Sequence, residues 1–169
     1  MATDDRLIAT IKEHVKKRHE ASDEKFLFGA ERVDLRRIEH LKVEVKKMHF
    51  TFYVDEPIER GGTDQGPNPL AYFIAGAASC LINQFLTDAI YRGVSLEDLE
   101  MAARGHFDRR MGGTFKEIIY DLRLTSPSSK EDILSLAGEA EEMCYAHQTL
   151  KKAGVKMTTN IFLNGRQIN

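Results

Sequence analysis

The chain has little excess charge of either sign. Its 169 residues include 24 lysines and arginines against 26 aspartates and glutamates, which gives a formal net charge of -2. A balance of this kind provides no broad positive field for phosphate backbones or anionic lipids. We therefore expect no nucleic-acid partner.

The sequence also lacks a long uninterrupted apolar run. The longest nearly uncharged stretch, residues 65–87, contains two prolines and many small or polar residues, unlike a bilayer span of about 20 apolar residues. The N-terminal residues lack the apolar segment and small-residue cleavage site of a secretory signal. We expect no membrane partner and a cytoplasmic location, where thiols stay reduced unless a disulfide belongs to a reaction cycle.

Several common catalytic signatures are missing as well. The chain has no G-x-S-x-G, P-loop or H-E-x-x-H, and no G-x-G-x-x-G after a predicted strand. Cys144 and His147 have C-x-x-H spacing, but a closed zinc site needs four ligands, generally from paired motifs. We therefore expect no metal and no cofactor. The other histidines considered as ligands read as solvated or strand-face residues: His14, His40, His49 and His106.

The apolar pattern predicts an α/β (α+β) chain with one main domain. Four apolar residues at helical spacing within residues 4–18 indicate an amphipathic helix. We assign this helix to an N-terminal extension, residues 1–24, ahead of a domain over residues 25–169. Three strand-like stretches between residues 26 and 54 predict an antiparallel meander, with Leu41, Val43 and Val45 on the dry face and lysines and a glutamate on the wet face.

A glycine- and proline-rich loop, residues 55–69, leads into the longest predicted helix. Asn68 suits the N-cap, Pro69 the first turn and Gly93 the stop. The helix is apolar almost all round as far as Thr87, so we expect it to be central and buried.

The rest of the chain predicts a hairpin, a helix, a helical turn and a final strand. The hairpin spans residues 99–108 and 115–126. A helix follows over residues 128–142, with capping-box spacing from Ser128 to Glu131 or from Ser129 to Asp132. One face of the second hairpin strand is formed by Ile118, Tyr120, Leu122 and Leu124.

The chain has only two cysteines, and they lie on different predicted elements. Cys80 is in the middle of the long helix, and Cys144 follows a later one. A thiol in mid-helix lacks the dipole of a helix N-terminus, so a reactive Cys80 needs a cation from another segment. Free cysteines are also among the commonest buried residues, so a structural role for either one stays open.

Two blocks of sequence carry a family resemblance. DEPIERGGTDQGPNPLAYFIAGAASCL and EEMCYAHQTLKKAGVKM, with a predicted hairpin and helix between them, resemble the osmotically inducible protein C and organic hydroperoxide resistance family (OsmC/Ohr). The likeness covers residues 26–162. It implies an OsmC-like fold in which antiparallel sheets from two copies wrap a pair of central helices, with active sites at the seam of a homodimer.

The resemblance implies a thiol-dependent peroxidase. Cys80 matches the cysteine that attacks the peroxide O–O bond and becomes a sulfenic acid, and Cys144 matches the cysteine that resolves it as a disulfide. A dithiol donor, a lipoylated protein for some members, restores both thiols. Organic hydroperoxides are the expected substrates and hydrogen peroxide a second candidate. Three aromatic residues are candidates for an apolar pocket wall or plain core: Phe73, Phe85 and Tyr145.

The chain departs from the family at the activating pair. Strongly active members carry a glutamate just after the N-P, where it holds an arginine against the thiolate, whereas this chain has Leu70 and Ala71. Arg37 is the nearest match to the arginine, with Arg36 close behind.

The second block departs too. Tyr145 and Gln148 stand where the family usually has proline and asparagine. The missing glutamate supports an alternative, a non-catalytic OsmC-like stress protein whose pocket binds a small apolar ligand and whose cysteines only line it.

Overall fold

The computed structural model describes residues 5–20, 29–110 and 113–169. Its helices are α1 (Asp5–Glu20), α2 (Pro69–Arg92), α3 (Lys130–Met143) and α4 (Tyr145–Lys152). Its strands are β1 (Asp34–Glu39), β2 (Lys42–Lys47), β3 (Phe50–Val54), β4 (Asp98–Phe107), β5 (Phe115–Thr125), β6 (Lys156–Leu163) and β7 (Arg166–Gln167). The predicted mixed α/β class is confirmed.

The chain forms two compact units. One, here called the meander unit, comprises Ala21–Ala75, and the other, the thiol unit, comprises Met1–Glu20 with Gly76–Asn169. The expected boundary between residues 24 and 25 lies outside the described residues and stays a prediction, as does any strand over residues 26–28.

In the meander unit, β1, β2 and β3 form the predicted antiparallel sheet. Its first strand begins later than expected, at Asp34. The predicted alternation is right for Val45, which is buried, and wrong at the start of β2, where Leu41 is 52% exposed and Lys42 only 8% exposed. Lys42 is covered because its Nζ donates to Gln65 Oε1 at 2.6 Å and lies over the Tyr53 ring.

The loop after β3 is organised by the buried carboxylate of Asp55. It accepts hydrogen bonds from the backbone N–H groups of Glu56, Thr63 and Gln65 at 2.8 to 3.2 Å, and from the Thr63 hydroxyl at 2.6 Å. Burial acts to raise the pKa of Asp55, but these hydrogen bonds outweigh burial and lower the pKa to about 2.

We expect Asp55→Asn to lower the melting temperature by several degrees, because an amide cannot accept all four of these donors. The pKa of Asp55 is depressed from 3.8 to about 2 on folding, so its contribution to stability is fully present above pH 3.8 and is lost as the pH falls toward about 2. Urea unfolding of both proteins across this range measures the difference. A difference that stays constant down to about pH 2 would contradict the assignment.

In the thiol unit, the sheet has the order β4-β5-β6-β7. The predicted hairpin of β4 and β5 is antiparallel, whereas β5 and β6 are parallel, because α3 and α4 lie between them in the chain. Ser129 caps α3, since its Oγ accepts from the Asp132 N–H at 3.1 Å. The predicted inner face of β5 is confirmed as core, with four buried side chains: Ile118, Tyr120, Leu122 and Leu124.

The long helix α2 has the predicted ends. Asn68 Oδ1 accepts from the Ala71 N–H at 2.9 Å, and Gly93 follows the last residue with a φ of 74°. The expectation of burial all round is wrong for the single chain, which covers one stripe of the helix, formed by Ala77, Leu81, Phe85 and Ala89. Among the described residues, α2 alone is long and apolar enough to cross a membrane, a test that core helices of soluble proteins also pass.

Candidate active site

The thiol unit brings together the two cysteines that the sequence keeps far apart. Cys80 is half-buried on α2, and Cys144 is 1% exposed in the bend between α3 and α4. Both are free, and they lie close enough together for the Cys80 thiol to raise the pKa of Cys144. The fold therefore places the two thiols of the expected disulfide near each other in one unit.

The bend fixes the position of Cys144 through its backbone. The Cys144 N–H donates to the Ala140 carbonyl at 2.9 Å, and its carbonyl accepts from the Gln148 N–H at 2.9 Å. The Gln148 side chain also donates to the Glu141 carbonyl at 2.9 Å. Gln148, which stands in the place of the family asparagine, therefore ties the first turn of α4 to the end of α3.

Burial raises the pKa of the Cys144 thiol to about 11. The neighbouring Cys80 thiol also raises it, while the backbone N–H groups of His147 and Ala146, at the start of α4, act in the opposite direction. Cys144 is therefore a protonated thiol at neutral pH, which makes it a poor first nucleophile.

Tyr120 lies beside the two thiols and was not predicted as a site residue. Its side chain is 0% exposed, and its hydroxyl has no hydrogen-bond partner among the residues described. Burial raises its pKa to about 12, and the charges of Cys144, Cys80 and Glu141 add to this shift. The available sequence signal is a tyrosine on an otherwise aliphatic strand face.

His147 and Thr159 border Tyr120. The His147 ring is buried 6.3 Å from the Tyr120 ring, and Thr159 is the register partner of Tyr120 across β5 and β6. Burial lowers the pKa of His147, Glu141 opposes that shift and Lys151 adds to it, so the imidazole is neutral at pH 7. Within the described ranges, no three His, Cys, Asp or Glu side chains are placed to hold a metal ion.

The meander unit contains the predicted arginine. Arg37 is exposed on β1, where its Nε donates to the His40 carbonyl at 3.0 Å, and Arg36 lies 3.5 Å from the Glu44 carboxylate. The role of Arg37 stays a prediction.

The expected pocket aromatics lie in different environments. Phe85 is core, whereas Phe73 and Tyr145 are exposed, Tyr145 at 78%. Phe85 is therefore unavailable as a pocket wall in the single chain.

Solved structures share this fold. An OsmC-like protein from Mycoplasma pneumoniae has a TM-score of 0.68 and 21% identity, and the match covers 80% of this chain and 99% of that chain. An organic hydroperoxide resistance protein from Legionella pneumophila has a TM-score of 0.63 and 19% identity, with coverage of 80% and 99%. One from Elizabethkingia anophelis has a TM-score of 0.60 and 18% identity, with the same coverage.

Comparison of the sequence with known families shows which family the chain belongs to. No curated protein matches the chain. The family model described as OsmC-like protein matches residues 62–160, a segment that includes both cysteines, β4, β5, α3 and α4. This match confirms the resemblance read from the two sequence blocks, and the chain belongs to the OsmC-like family.

Proposed function

We propose that this chain is a thiol-dependent peroxidase that reduces organic hydroperoxides. The observation that carries the proposal is the pairing of Cys80 and Cys144, two free thiols near enough for one to shift the pKa of the other, in a chain of the OsmC-like family. The substrate class is supported by the Legionella and Elizabethkingia structures, which are described as organic hydroperoxide resistance proteins. Hydrogen peroxide is a second candidate substrate.

The proposed cycle has three steps. The Cys80 thiolate attacks a peroxide oxygen, the O–O bond breaks, and the sulfur becomes a sulfenic acid while the other oxygen leaves as an alcohol after taking a proton. Cys144 then attacks the Cys80 sulfur, so that an S–S bond forms and the oxygen leaves as water. A dithiol of the lipoyl class, an external partner in this proposal, reduces the disulfide by thiol–disulfide exchange.

The environments of the two thiols support this division of labour. Cys80 is the more accessible of the two, and the buried Cys144 keeps its proton at neutral pH because its pKa is about 11. The first oxidation is therefore assigned to Cys80 and the resolving attack to Cys144.

We assign the cation that stabilises the Cys80 thiolate to Arg37. Arg37→Met should slow sulfenic acid formation by roughly 100-fold, because the charge assigned to the stabilisation of the thiolate is lost. Rapid quench and mass spectrometry after one equivalent of cumene hydroperoxide measure this step. Arg36→Met is the matched comparison: slowing there alone would move the role to Arg36, and unchanged rates in both variants would contradict the assignment.

We also propose that the protein is a homodimer. Large apolar side chains are exposed on α2 and on the sheet of the meander unit, among them Leu35, Phe50, Leu70, Phe73 and Tyr91. A second copy would cover them and complete the burial of α2. Light scattering at micromolar concentration should give twice the 19.2 kDa mass of one chain. A folded monomer under those conditions would contradict the dimer.

A cytoplasmic location without membrane or nucleic-acid partners belongs to the same proposal.

A second candidate function is binding of a small apolar ligand without catalysis. It is favoured by Leu70 and Ala71, the residues at the start of α2 where a carboxylate would hold the activating arginine. A peroxide-consumption assay with dihydrolipoamide as the dithiol donor separates the two functions. Turnover supports the peroxidase, whereas peroxide left unconsumed supports the ligand-binding protein.

A further inference from the structure

Unpaired buried polar atoms are concentrated at one place in the thiol unit. Among the described residues, four buried side-chain atoms lack a hydrogen-bond partner, and three of them are the Tyr120 hydroxyl, Thr159 Oγ1 and His147 Nδ1. Tyr120 and Thr159 are register partners on the adjacent strands β5 and β6, and the Tyr120 and His147 rings are 6.3 Å apart. We call these three residues the polar cluster. Because buried polar groups are rarely unpaired, three together indicate a site that uses them.

The polar cluster borders both thiols. The Tyr120 hydroxyl is close enough to Cys80 and Cys144 for their charges to act on it, and His147, whose ring is 6.3 Å from the Tyr120 ring, lies in the first turn of the helix that follows Cys144. None of the three proposed steps has yet used these side chains. A group that appears on the Cys80 sulfur during the cycle would therefore arise near polar groups that have no partner among the described residues.

The resolving step requires proton transfer from the Cys144 thiol to the oxygen on Cys80. Cys144 starts as a thiol with a pKa of about 11, so its proton must leave as it attacks, and the oxygen on Cys80 must gain a proton to leave as water. Tyr120 has a pKa of about 12 and keeps its proton at neutral pH. It can donate that proton and then accept another. The neighbouring His147 is neutral and adds no competing positive charge.

We propose that the Tyr120 hydroxyl gives its proton to the group that leaves the Cys80 sulfur and takes up the proton that Cys144 releases. This step rests on the proposed peroxidase cycle, in which the leaving group is the hydroxide of the sulfenic acid. The S–O bond breaks and the S–S bond forms, the Cys80 sulfur is reduced and the Cys144 sulfur is oxidised. One water is released, and Tyr120 ends as it began. Tyr120 is thus a further catalytic residue.

Tyr120→Phe isolates this role, because it removes one oxygen atom and keeps the buried ring. Among the described residues the hydroxyl has no hydrogen-bond partner to lose, so the variant should melt no lower than the unmodified protein. Tyr53→Phe, on the exposed β3 strand, is the matched control. A sulfenic acid made with one equivalent of cumene hydroperoxide should form at Cys80 at the same rate in all three proteins. Its closure to the disulfide should be slower in Tyr120→Phe by roughly 10- to 100-fold.

Closure from mixed disulfides tests the proton transfer without peroxide. Bis(2-hydroxyethyl) disulfide places mercaptoethanol on Cys80, and Ellman's reagent places thionitrobenzoate there. Mercaptoethanol is a weakly acidic thiol that needs a proton to leave, whereas thionitrobenzoate leaves as a stable thiolate. Acid quench with mass spectrometry follows the first closure, and release of coloured thionitrobenzoate follows the second. Tyr120→Phe should slow closure from the mercaptoethanol form several-fold more than closure from the thionitrobenzoate form.

The two sets of results separate this inference from the peroxidase. Equal slowing with both mixed disulfides would mean that the ring only positions the thiols, and would overturn the proton transfer, as would unchanged closure with both. If the unmodified protein forms no sulfenic acid, the peroxidase proposal fails. The mixed-disulfide comparison then still decides whether Tyr120 protonates the group that leaves Cys80.

Discussion

Cys80→Ser is expected to abolish peroxide consumption, while Cys144→Ser is expected to react once, with further turnover lost or dependent on an external thiol. Serine at residue 80 cannot form a sulfenic acid, so the first step of the cycle, reduction of the peroxide, does not take place. Without Cys144, the sulfenic acid at Cys80 has no neighbouring thiol, so it should persist, be trapped by dimedone, and be further oxidised by excess peroxide. Steady-state consumption with dihydrolipoamide and mass spectrometry after one equivalent of cumene hydroperoxide measure the two effects.

The double variant Cys80→Ser/Cys144→Ser is the control for non-specific peroxide loss. It should behave as the Cys80→Ser protein does. Peroxide consumption by Cys80→Ser at the unmodified rate would contradict the assignment of Cys80 and leave ligand binding as the function. An intramolecular disulfide cannot form in Cys144→Ser, so a full turnover rate there would contradict the resolving role of Cys144.

Gly62→Ala is expected to destabilise the protein by roughly 3 kcal/mol, at the upper end of overpacking costs. A Cβ at residue 62 would lie 1.8 Å from the Glu56 carbonyl oxygen and 2.8 Å from Asp55 Oδ1. The first of these is a backbone atom and cannot rotate away, so the loop that holds Asp55 must open. Urea unfolding followed by circular dichroism measures the loss.

Gly138→Ala is the matched control for that substitution. Gly138 is exposed in the interior of α3, and a Cβ there meets no other atom within 4 Å. Alanine should therefore stabilise α3 by about 1 kcal/mol, the usual difference from glycine in a helix. A Gly62→Ala protein as stable as the unmodified chain would show that the close approach at Glu56 is not maintained in solution.

Local sequence signals predicted most of the elements because their causes are local. Asn68, Pro69 and Gly93 delimit α2 through capping and backbone conformation, and the Ser129 to Asp132 spacing places the start of α3. The inner face of β5 follows from alternation. Each of these signals acts over a few residues, so it can be read without knowing the tertiary structure.

Contacts between distant segments account for what the sequence did not predict. Lys42 is buried because the Gln65 side chain and the Tyr53 ring meet it, and neither contact has a signature in the charged and apolar alternation of β2. The parallel pairing of β5 with β6 likewise depends on where α3 and α4 return the chain. The apolar composition of α2 also did not reveal that a single chain covers only one stripe of the helix.

Only part of the candidate site was predicted, because the rest also depends on contacts between distant segments. Family resemblance singled out Cys80 and Cys144, whereas their proximity depends on the tertiary structure and is visible in neither residue alone. Tyr120 read as core because its strand face is apolar, and its unpaired hydroxyl becomes visible only when the surroundings are known. His147 was considered as half of a zinc motif, whereas in the fold it is a buried neutral ring beside Tyr120.

The most direct test of the central claim is the mass of the unmodified protein after one equivalent of cumene hydroperoxide, followed by peptide mapping without a reductant. The proposed cycle requires that the protein loses two hydrogens and that the peptides containing Cys80 and Cys144 are joined by a disulfide within one chain. Addition of dihydrolipoamide should restore the original mass. An unchanged mass with the peroxide still present, or a disulfide between two chains, would contradict the account.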